Sequence, residues 1–314
     1  MDLIVKMKFG SHLYGTNTES SDLDYKGVYL PTKEEILLNE IPKCQSFSTG
    51  NHMIRNSRDD VDEDIYSLHY FLKLACDGQT VAMDMLHAPE NMLIESSDIW
   101  RNIVKEKKRF YTKNLNSFVD YARRQASKYG IKGSRLNAAL QVISILKTQD
   151  PERKLKDVWN KLPRNDYCHD TGVNPNGIRQ YQVCGKTFPE SAAIGYALPI
   201  LENFYDEYGH RAKLAAENKN LDWKAISHAL RAAFQTKEIL IDGTITFPLK
   251  EAPFLLNVKS GRLDYASEVA PVLESLMEEV EILIRESNLP EKVDTKFWKT
   301  FICEALETAR FKAS

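Results

Sequence analysis

Apolar and polar residues alternate at the start of the chain, and an alternation of period two is the pattern of a β-strand. The apolar positions of this first predicted strand are Leu3, Val5, Met7 and Phe9. A second apolar run, which includes Val28 and Leu30 and ends at Pro31, predicts a second strand. The polar residues between these two runs are therefore expected in a loop and at the ends of the two strands.

A third strand and a helix are predicted further along the chain. Val61 and Ile65 share one face of the stretch 61–66, which has the alternation of a strand. Ser67 has a side chain suited to a helix N-cap. The apolar positions that follow at helical spacing are Leu68, Phe71, Leu72 and Ala75. The mostly polar stretch 45–60, before this strand, predicts a hairpin or a mobile loop.

From Asp98 onward, apolar residues recur at helical spacing over most of the chain. The stretch 163–189 is rich in Asn, Gly and Pro, and it predicts an irregular insertion with one hairpin. The helix that begins near residue 191 is expected to be interrupted at Pro199. We therefore predict an α+β fold with a first domain over residues 1–95 and a mainly α-helical domain over residues 96–314.

One of the later helices has an unusual polar face. Asp222 is suited to N-cap this helix, and its core face comprises Trp223, Ile226, Leu230 and Ala233. At about 100° per residue, a narrow polar stripe contains Lys224, His228, Arg231 and Gln235. Aligned cations repel one another unless an anion faces them or water screens them. The stripe predicts either a phosphate- or RNA-facing surface or a solvated helix face, and the pattern alone favours the solvated face.

The polar residues between the first two predicted strands are the strongest candidates for chemistry. Gly10 can adopt a positive φ, and Ser11 adds a small hydroxyl group. Asp22 and Asp24 share one face of an extended segment, about 6.6 Å apart at about 3.3 Å per residue. Such carboxylates repel unless a cation joins them, and Mg²⁺ prefers oxygen ligands. A turn of backbone N–H groups beside them can bind an anion, so this stretch predicts metal-assisted chemistry on a nucleoside triphosphate.

A two-metal site also needs a carboxylate from a later strand. The predicted strand 61–66 places Asp62 and Asp64 on the same face, whereas Glu63 points to the other face. We select Asp64 because it lies deeper in the strand and closer to the following helix. Asp62 has the same side-chain parity and is the alternative.

Composition and charge limit the class of protein. The 314 residues are 43% hydrophobic and 27% charged, with no apolar run of about 18 residues, so we expect a globular protein without a transmembrane helix. Five scattered cysteines predict free thiols in a reducing compartment, the cytoplasm. The net charge of −2 conceals a basic block, residues 101–164, with 17 Lys and Arg against 5 Asp and Glu. This block fits a phosphate backbone and a solvated helical face equally well.

Several of these motifs together resemble one known group of enzymes. Gly10-Ser11 followed by Asp22 and Asp24 is similar to the signature of the DNA polymerase β-like nucleotidyltransferases. The run Asp-Trp-Lys-Ala-Ile-Ser-His-Ala-Leu-Arg at 222–231 is more specific, and it resembles the RNA-ligase-associated nucleotidyltransferases, the RlaP family. The resemblance implies a minimal nucleotidyltransferase domain, built on a short mixed sheet with flanking helices, followed by a mainly α-helical C-terminal domain.

The resemblance also implies an activity and a set of site residues. The implied reaction transfers a nucleoside monophosphate from an NTP to a hydroxyl group on RNA, in repair or end modification, with Mg²⁺ or Mn²⁺ as cofactor and an RNA ligase acting alongside. The implied catalytic and metal-binding residues are Asp22, Asp24 and Asp64, with Asp62 as the alternative. The implied nucleotide-binding residues are Gly10, Ser11, Lys224, His228 and Arg231.

Two other functions are compatible with the same residues. The acceptor could be a protein hydroxyl, which would make the chain an AMP or UMP transferase. The chain could instead be a catalytically idle nucleic-acid-binding protein of the same fold. The intact carboxylates argue against an idle site, because such a site has no reason to keep charges that repel each other.

Overall fold

The computed structural model describes residues 1–50, 60–113, 133–165, 167–216, 218–219 and 221–311, without the side chains of residues 133–136 and 208–216. Residues 114–132 of the basic block therefore lie outside the described ranges. The chain folds as two compact units. The first unit comprises residues 1–125, 222–263 and 272–314, and the second comprises residues 126–221 and 264–271.

The first unit contains a five-stranded mixed sheet with the strand order β3-β4-β2-β1-β5. Its strands are β1 (Asp2–Lys8), β2 (Leu23–Leu30), β3 (Cys44–Ser48), β4 (Val61–Ser67) and β5 (Leu93–Ser96). β2 and β4 are parallel, and the other neighbours are antiparallel. The three strands predicted from alternation are confirmed. β3 lies in the stretch predicted as a hairpin or a loop, and it pairs with β4 at the edge of the sheet.

Helices surround this sheet and form most of the later chain. In chain order they are α1 (Gly10–Tyr14), α2 (Lys33–Leu37), α3 (Leu68–Cys76), α4 (Thr80–His87), α5 (Asp98–Lys105), α6 (Gly133–Lys147), α7 (Ile194–Ala216), α8 (Trp223–Asp242), α9 (Ala252–Lys259), α10 (Ala270–Glu286) and α11 (Thr295–Leu306). The fold is therefore α+β, with a sheet near the N-terminus and a mostly helical C-terminal region, as predicted. Among the described helices, none combines the length and the apolar character needed to cross a membrane.

The apolar faces predicted from the sequence form the core of the first unit. Val5, Met7 and Val28 are fully buried between β1 and β2 and their neighbours. All four apolar residues predicted for α3 are buried as well. Asp222 N-caps α8, because its carboxylate accepts a hydrogen bond from the Ala225 N–H at 2.9 Å. The candidate site residues thus lie on a well-packed sheet and on a capped helix.

The second unit has a core of its own, formed by α6, α7 and a three-stranded antiparallel sheet. The strands are β6 (Cys168–Val173), β7 (Arg179–Val183) and β8 (Lys186–Pro189). The interruption predicted at Pro199 is wrong, because α7 continues through this residue. Proline removes one backbone hydrogen bond, but its φ suits a helix, and Ile194, Ala197 and Leu201 bury the apolar face around it.

Candidate active site

The turn between β1 and α1 is built around Gly10. Its φ is +60°, in the left-handed region that favours glycine. A Cβ atom at this position would lie 1.9 Å from Oδ2 of Asp24, so the carboxylate occupies the space that any side chain would need. The Phe9 N–H also donates a hydrogen bond to the Asp24 carbonyl at 2.8 Å. The turn and the start of β2 are therefore in direct contact.

Two polar side-chain atoms of α1 are buried without a hydrogen-bond partner among the described residues. Ser11 Oγ and His12 Nε2 are both buried and, among the described residues, accept or donate no hydrogen bond. The first backbone N–H groups of a helix also have no acceptor within the helix. Buried polar atoms without partners cost free energy, so this turn is suited to a ligand that brings hydrogen-bonding oxygens.

The carboxylates of β2 and β4 lie beside this turn. Asp24 is the register partner of Asp62 across the parallel pairing of the two strands, so the two side chains share one face of the sheet. Burial raises the pKa of Asp24 above its ordinary value, and the charges of Asp22 and Asp62 raise it further, against the opposing effect of Lys26. Two carboxylates that disfavour the ionisation of Asp24 form with it a donor set that a divalent cation would stabilise.

The carboxylates of Asp22, Asp24 and Asp62 are not grouped around a single point. Among the described residues, no three His, Cys, Asp or Glu side chains are grouped closely enough to bind one metal ion as they stand. Asp22, Asp24 and Asp62 nevertheless supply the hard oxygen atoms that Mg²⁺ prefers. The residues present therefore fit a divalent cation by the chemistry of their oxygen atoms and by the negative charge that Asp22 and Asp62 place near Asp24.

Asp64, selected from the sequence as the third carboxylate, has a different environment. It forms an ion pair with Lys26, and it accepts a hydrogen bond from Ser46 Oγ at 2.5 Å. Partial burial alone would raise the pKa of Asp64, but these two donors lower it overall. The register brings Asp62 next to Asp24, whereas Asp64 lies opposite Lys26. Asp62 and Asp64 thus have different neighbours across the strand pairing, and both stay candidates for the third carboxylate.

Arg231, on the polar stripe of α8, contacts helices α1 and α4 of the first unit. Its guanidinium group lies 3.9 Å from the centre of the Tyr14 ring, at the end of α1. Its Nη1 atom donates to Oδ2 of Asp84 at 2.7 Å. Arg231, assigned to nucleotide binding by the resemblance, thus contacts a protein carboxylate in this structure. Asp84 was not identified from the sequence, although a charged residue within the apolar helix α4 is a signal that could have identified it.

Lys224 and His228 lie on the same stripe, toward the start of α8. Burial lowers the pKa of His228 to about 4, and the positive charges of Arg231 and Lys224 contribute to this. Lys259, at the end of α9, also contributes. His228 is therefore neutral at neutral pH and can donate a hydrogen bond. The cations around it include Lys259, which the stripe predicted from the sequence does not contain.

Packing between α8 and α9 explains how Lys259 joins this cluster. Ser227 Oγ of α8 donates to the Leu255 carbonyl of α9 at 3.0 Å. A Cβ atom on Gly261, just after α9, would lie 2.9 Å from Nε1 of Trp223. The end of α9 is thus held close to the start of α8, and both ends carry cationic side chains.

Two sequence comparisons relate this chain to known proteins. A sequence profile described as RlaP, the RNA repair pathway DNA polymerase beta family, matches residues 1–154. An uncharacterised 38.9 kDa protein from the nrdC-mobD intergenic region of Enterobacteria phage T4 is 37% identical over 325 residues, and the match covers 96% of each chain.

One solved structure is also similar over most of the chain. It is the crystal structure of a nucleotidyltransferase-like protein from Exiguobacterium sibiricum 255-15. The match covers 99% of this chain and 76% of that protein, at 7% sequence identity and a TM-score of 0.25. A TM-score this low carries no argument about the site or its chemistry.

Proposed function

The chain belongs to the RlaP family, the RNA repair pathway DNA polymerase β family, and on this premise we propose that it transfers a nucleoside monophosphate from an NTP to an acceptor hydroxyl. Pyrophosphate is the second product. The observation that carries the proposal is the register pairing of Asp24 with Asp62. This pairing brings Asp62 beside Asp24, and Asp24 fills the space of the missing side chain at the Gly10 turn.

The proposal includes a divalent cation, Mg²⁺ or Mn²⁺. Asp22, Asp24 and Asp62 would bind this cation. The charges of Asp22 and Asp62 raise the pKa of Asp24, and a bound cation would neutralise them. When bound, such ions lower the pKa of an attacking hydroxyl and neutralise charge that develops on the transferred phosphoryl group. Asp64 stays paired with Lys26, and this ion pair lies next to the carboxylates on the same two strands.

The residues of the chain itself have separate roles in binding the triphosphate. Ser11 Oγ, which is buried and lacks a partner among the described residues, would donate a hydrogen bond to a phosphate oxygen. The backbone N–H groups at the start of α1 would do the same. Lys224 and Lys259 would supply positive charge from α8 and α9, and His228 would donate a hydrogen bond from its ring. These groups bind and orient the triphosphate, which is the main contribution of a protein to phosphoryl transfer.

RNA is the acceptor that we propose, and the basic block 101–164 supports it by its charge. Several described members of that block are engaged in ion pairs, which reduces the charge available to a phosphate backbone. These pairs are Arg101–Asp98, Arg109–Glu106, Lys147–Glu202 and Arg164–Asp170. An RNA ligase acting alongside this chain, in the cytoplasm, belongs to the same proposal and rests on the family alone.

A labelled-nucleotide experiment tests the proposal. The purified chain is incubated with a mixture of α-³²P-labelled NTPs, Mg²⁺ and total RNA, and the label is followed on gels. We expect labelled RNA with the wild type and none with Asp24→Asn. Asp170→Asn, which removes an exposed carboxylate paired with Arg164, is the matched control and should retain activity.

The alternatives give different results in the same experiment. Label on protein instead of RNA would identify an AMP or UMP transferase. Salt-dependent RNA binding without any label transfer would identify an idle nucleic-acid-binding protein. Equal transfer by the wild type and Asp24→Asn would refute the assignment of the site.

A further inference from the structure

Asp84 is a charged residue in the interior of the first unit. Its relative exposure is 0%, and it lies in the apolar helix α4. Its carboxylate accepts three hydrogen bonds, from Tyr14 Oη at 2.8 Å, from Arg231 Nη1 at 2.7 Å and from Gln235 Nε2 at 2.7 Å. Burial raises the pKa of Asp84, while Arg231 and the hydrogen bonds oppose this rise. The carboxylate is thus surrounded by donors from two distant parts of the chain.

The donors belong to the two helices that carry the proposed triphosphate-binding groups. Tyr14 is the last residue of α1, and this helix begins at Gly10 and Ser11. Arg231 lies one turn after His228 on α8, and its guanidinium group packs on the Tyr14 ring at 3.9 Å. One buried carboxylate therefore contacts the end of α1 and the middle of α8 at the same time.

A role in stability alone does not account well for this arrangement. The desolvation of a buried ion pair offsets much of its attraction, and apolar replacements of such pairs are often neutral or stabilising. The segment after α8 also contacts the end of α1 without Asp84, because the Leu249 N–H donates to the Tyr14 carbonyl at 3.2 Å. What Asp84 adds is a defined geometry between α1 and α8.

We propose that Asp84 is a positioning residue for nucleotidyl transfer, which binds Tyr14 and Arg231 together and so sets the Gly10–Ser11 turn relative to Lys224 and His228. This inference rests on the proposed function, because it assumes that both helices bind the same triphosphate. Loss of the carboxylate leaves Arg231 without its buried counter-charge and removes the shared acceptor that fixes Tyr14 and Arg231 relative to each other. Misplacement by about 1 Å can cost a hundredfold in rate.

The test separates positioning from stability by measuring KM for the NTP and kcat independently. Asp84→Asn removes the charge, and Tyr14→Phe removes one hydrogen bond while it keeps the ring beneath Arg231. The matched control is Thr236→Val, because Thr236 is also fully buried on α8 and its hydroxyl donates to the Ala232 carbonyl of the same helix. Folding of each variant is followed by urea denaturation, and rates are measured where all are folded.

We expect Asp84→Asn to lower kcat/KM for the NTP about ten- to hundredfold relative to the control, with a raised KM as part of that loss, and Tyr14→Phe to raise KM at least threefold. A merely structural role would reduce the folded fraction, which lowers apparent kcat and leaves KM unchanged. Unchanged KM in Tyr14→Phe, or in a folded Asp84→Asn, would overturn the inference. A wild type that transfers no label would instead refute the proposed function, and the positioning role with it.

Discussion

Asp24 of β2 lies opposite Asp62 of β4, across the parallel pairing of the two strands. Parallel strands lie about 4.8 Å apart, so two carboxylates in register on one face are close neighbours. Asp64 is only two residues further along β4, and its register partner is Lys26. β4 therefore presents Asp62 to an acidic register partner and Asp64 to a basic one, and we propose different roles for them on this ground.

Replacement of these two aspartates should have unequal effects on transfer. We expect Asp62→Asn to lower label transfer about a hundredfold or more, since mutation of a residue that only hydrogen-bonds a metal ligand already lowers activity or metal affinity about ten- to hundredfold. Asp64→Asn should cost less than about tenfold, because it breaks an ion pair with Lys26 and a hydrogen bond with Ser46 and removes no metal ligand. Initial rates with labelled NTP measure both, and the reverse order would restore Asp64 as the third carboxylate.

Gly10→Ala should destabilise the protein more than a matched glycine replacement. Both Gly10 and Gly177 have φ values in the left-handed region, +60° and +74°. A Cβ on Gly177 meets nothing within 4 Å, so Gly177→Ala carries only the conformational cost, about 1 kcal/mol. Gly10→Ala adds the clash with Asp24, and we expect at least twice that cost by urea denaturation. Equal free energies of unfolding would show that the Asp24 side chain can move away.

Asp24→Asn should stabilise the metal-free protein at neutral pH. The pKa of Asp24 is raised in the folded state, so folding favours its protonated form, and the wild type loses stability as pH rises from 3.8 through the folded pKa. The asparagine variant lacks this loss. Urea denaturation in EDTA should therefore show a difference that grows with pH over this window and is absent below it.

Added Mg²⁺ should reverse that order. A cation bound to the carboxylates stabilises the folded state by mass action, so Tm of the wild type should rise with Mg²⁺ concentration. Tm of Asp24→Asn should change little, and Asp170→Asn should behave as the wild type. A uniform rise in all three proteins would indicate a salt effect unrelated to this site.

His228 should couple nucleotide binding to pH. Its pKa is about 4 in the free protein, and a nearby phosphate would raise this pKa, so binding takes up a proton and affinity increases as pH falls. Calorimetry with a non-hydrolysable NTP analogue, between about pH 5 and 8 and in buffers of different ionisation enthalpy, measures the number of protons taken up on binding. Subtracting the proton uptake of His228→Gln from that of the wild type gives the contribution of the imidazole, because the titration of the phosphate contributes equally to both.

A histidine elsewhere in the unit provides the control for this measurement. Burial lowers the pKa of His69, on α3, as well, but this residue has no assigned role in the site. His69→Gln should keep the proton uptake of the wild type. Loss of proton uptake in His69→Gln but not in His228→Gln would contradict the assignment of His228.

Local patterns predicted the elements whose burial is regular along the chain. Both kinds of pattern mark residues that are fully or nearly fully buried: Val5 and Met7 in the alternating strand, and Phe71 and Leu72 at helical spacing. The pattern could not separate a hairpin from a loop at β3, because four of the five residues of this strand are exposed. An edge strand pairs through its backbone, so its side chains need no apolar pattern. The helix through Pro199 shows the opposite case, in which packing of the buried face outweighs a local breaker.

The sequence by itself determined the family and the α+β class, and it predicted the chemistry of the opening turn, because these depend on residue types and on spacings within one segment. The tertiary structure decided which residues meet across segments. Asp62 and Asp64 have the same parity on one strand, and only the register with β2 shows that their neighbours differ, Asp24 for one and Lys26 for the other. Asp84 and Arg231 lie 147 residues apart, and no periodicity relates them. Their contact arises because a buried carboxylate must find donors wherever the fold supplies them.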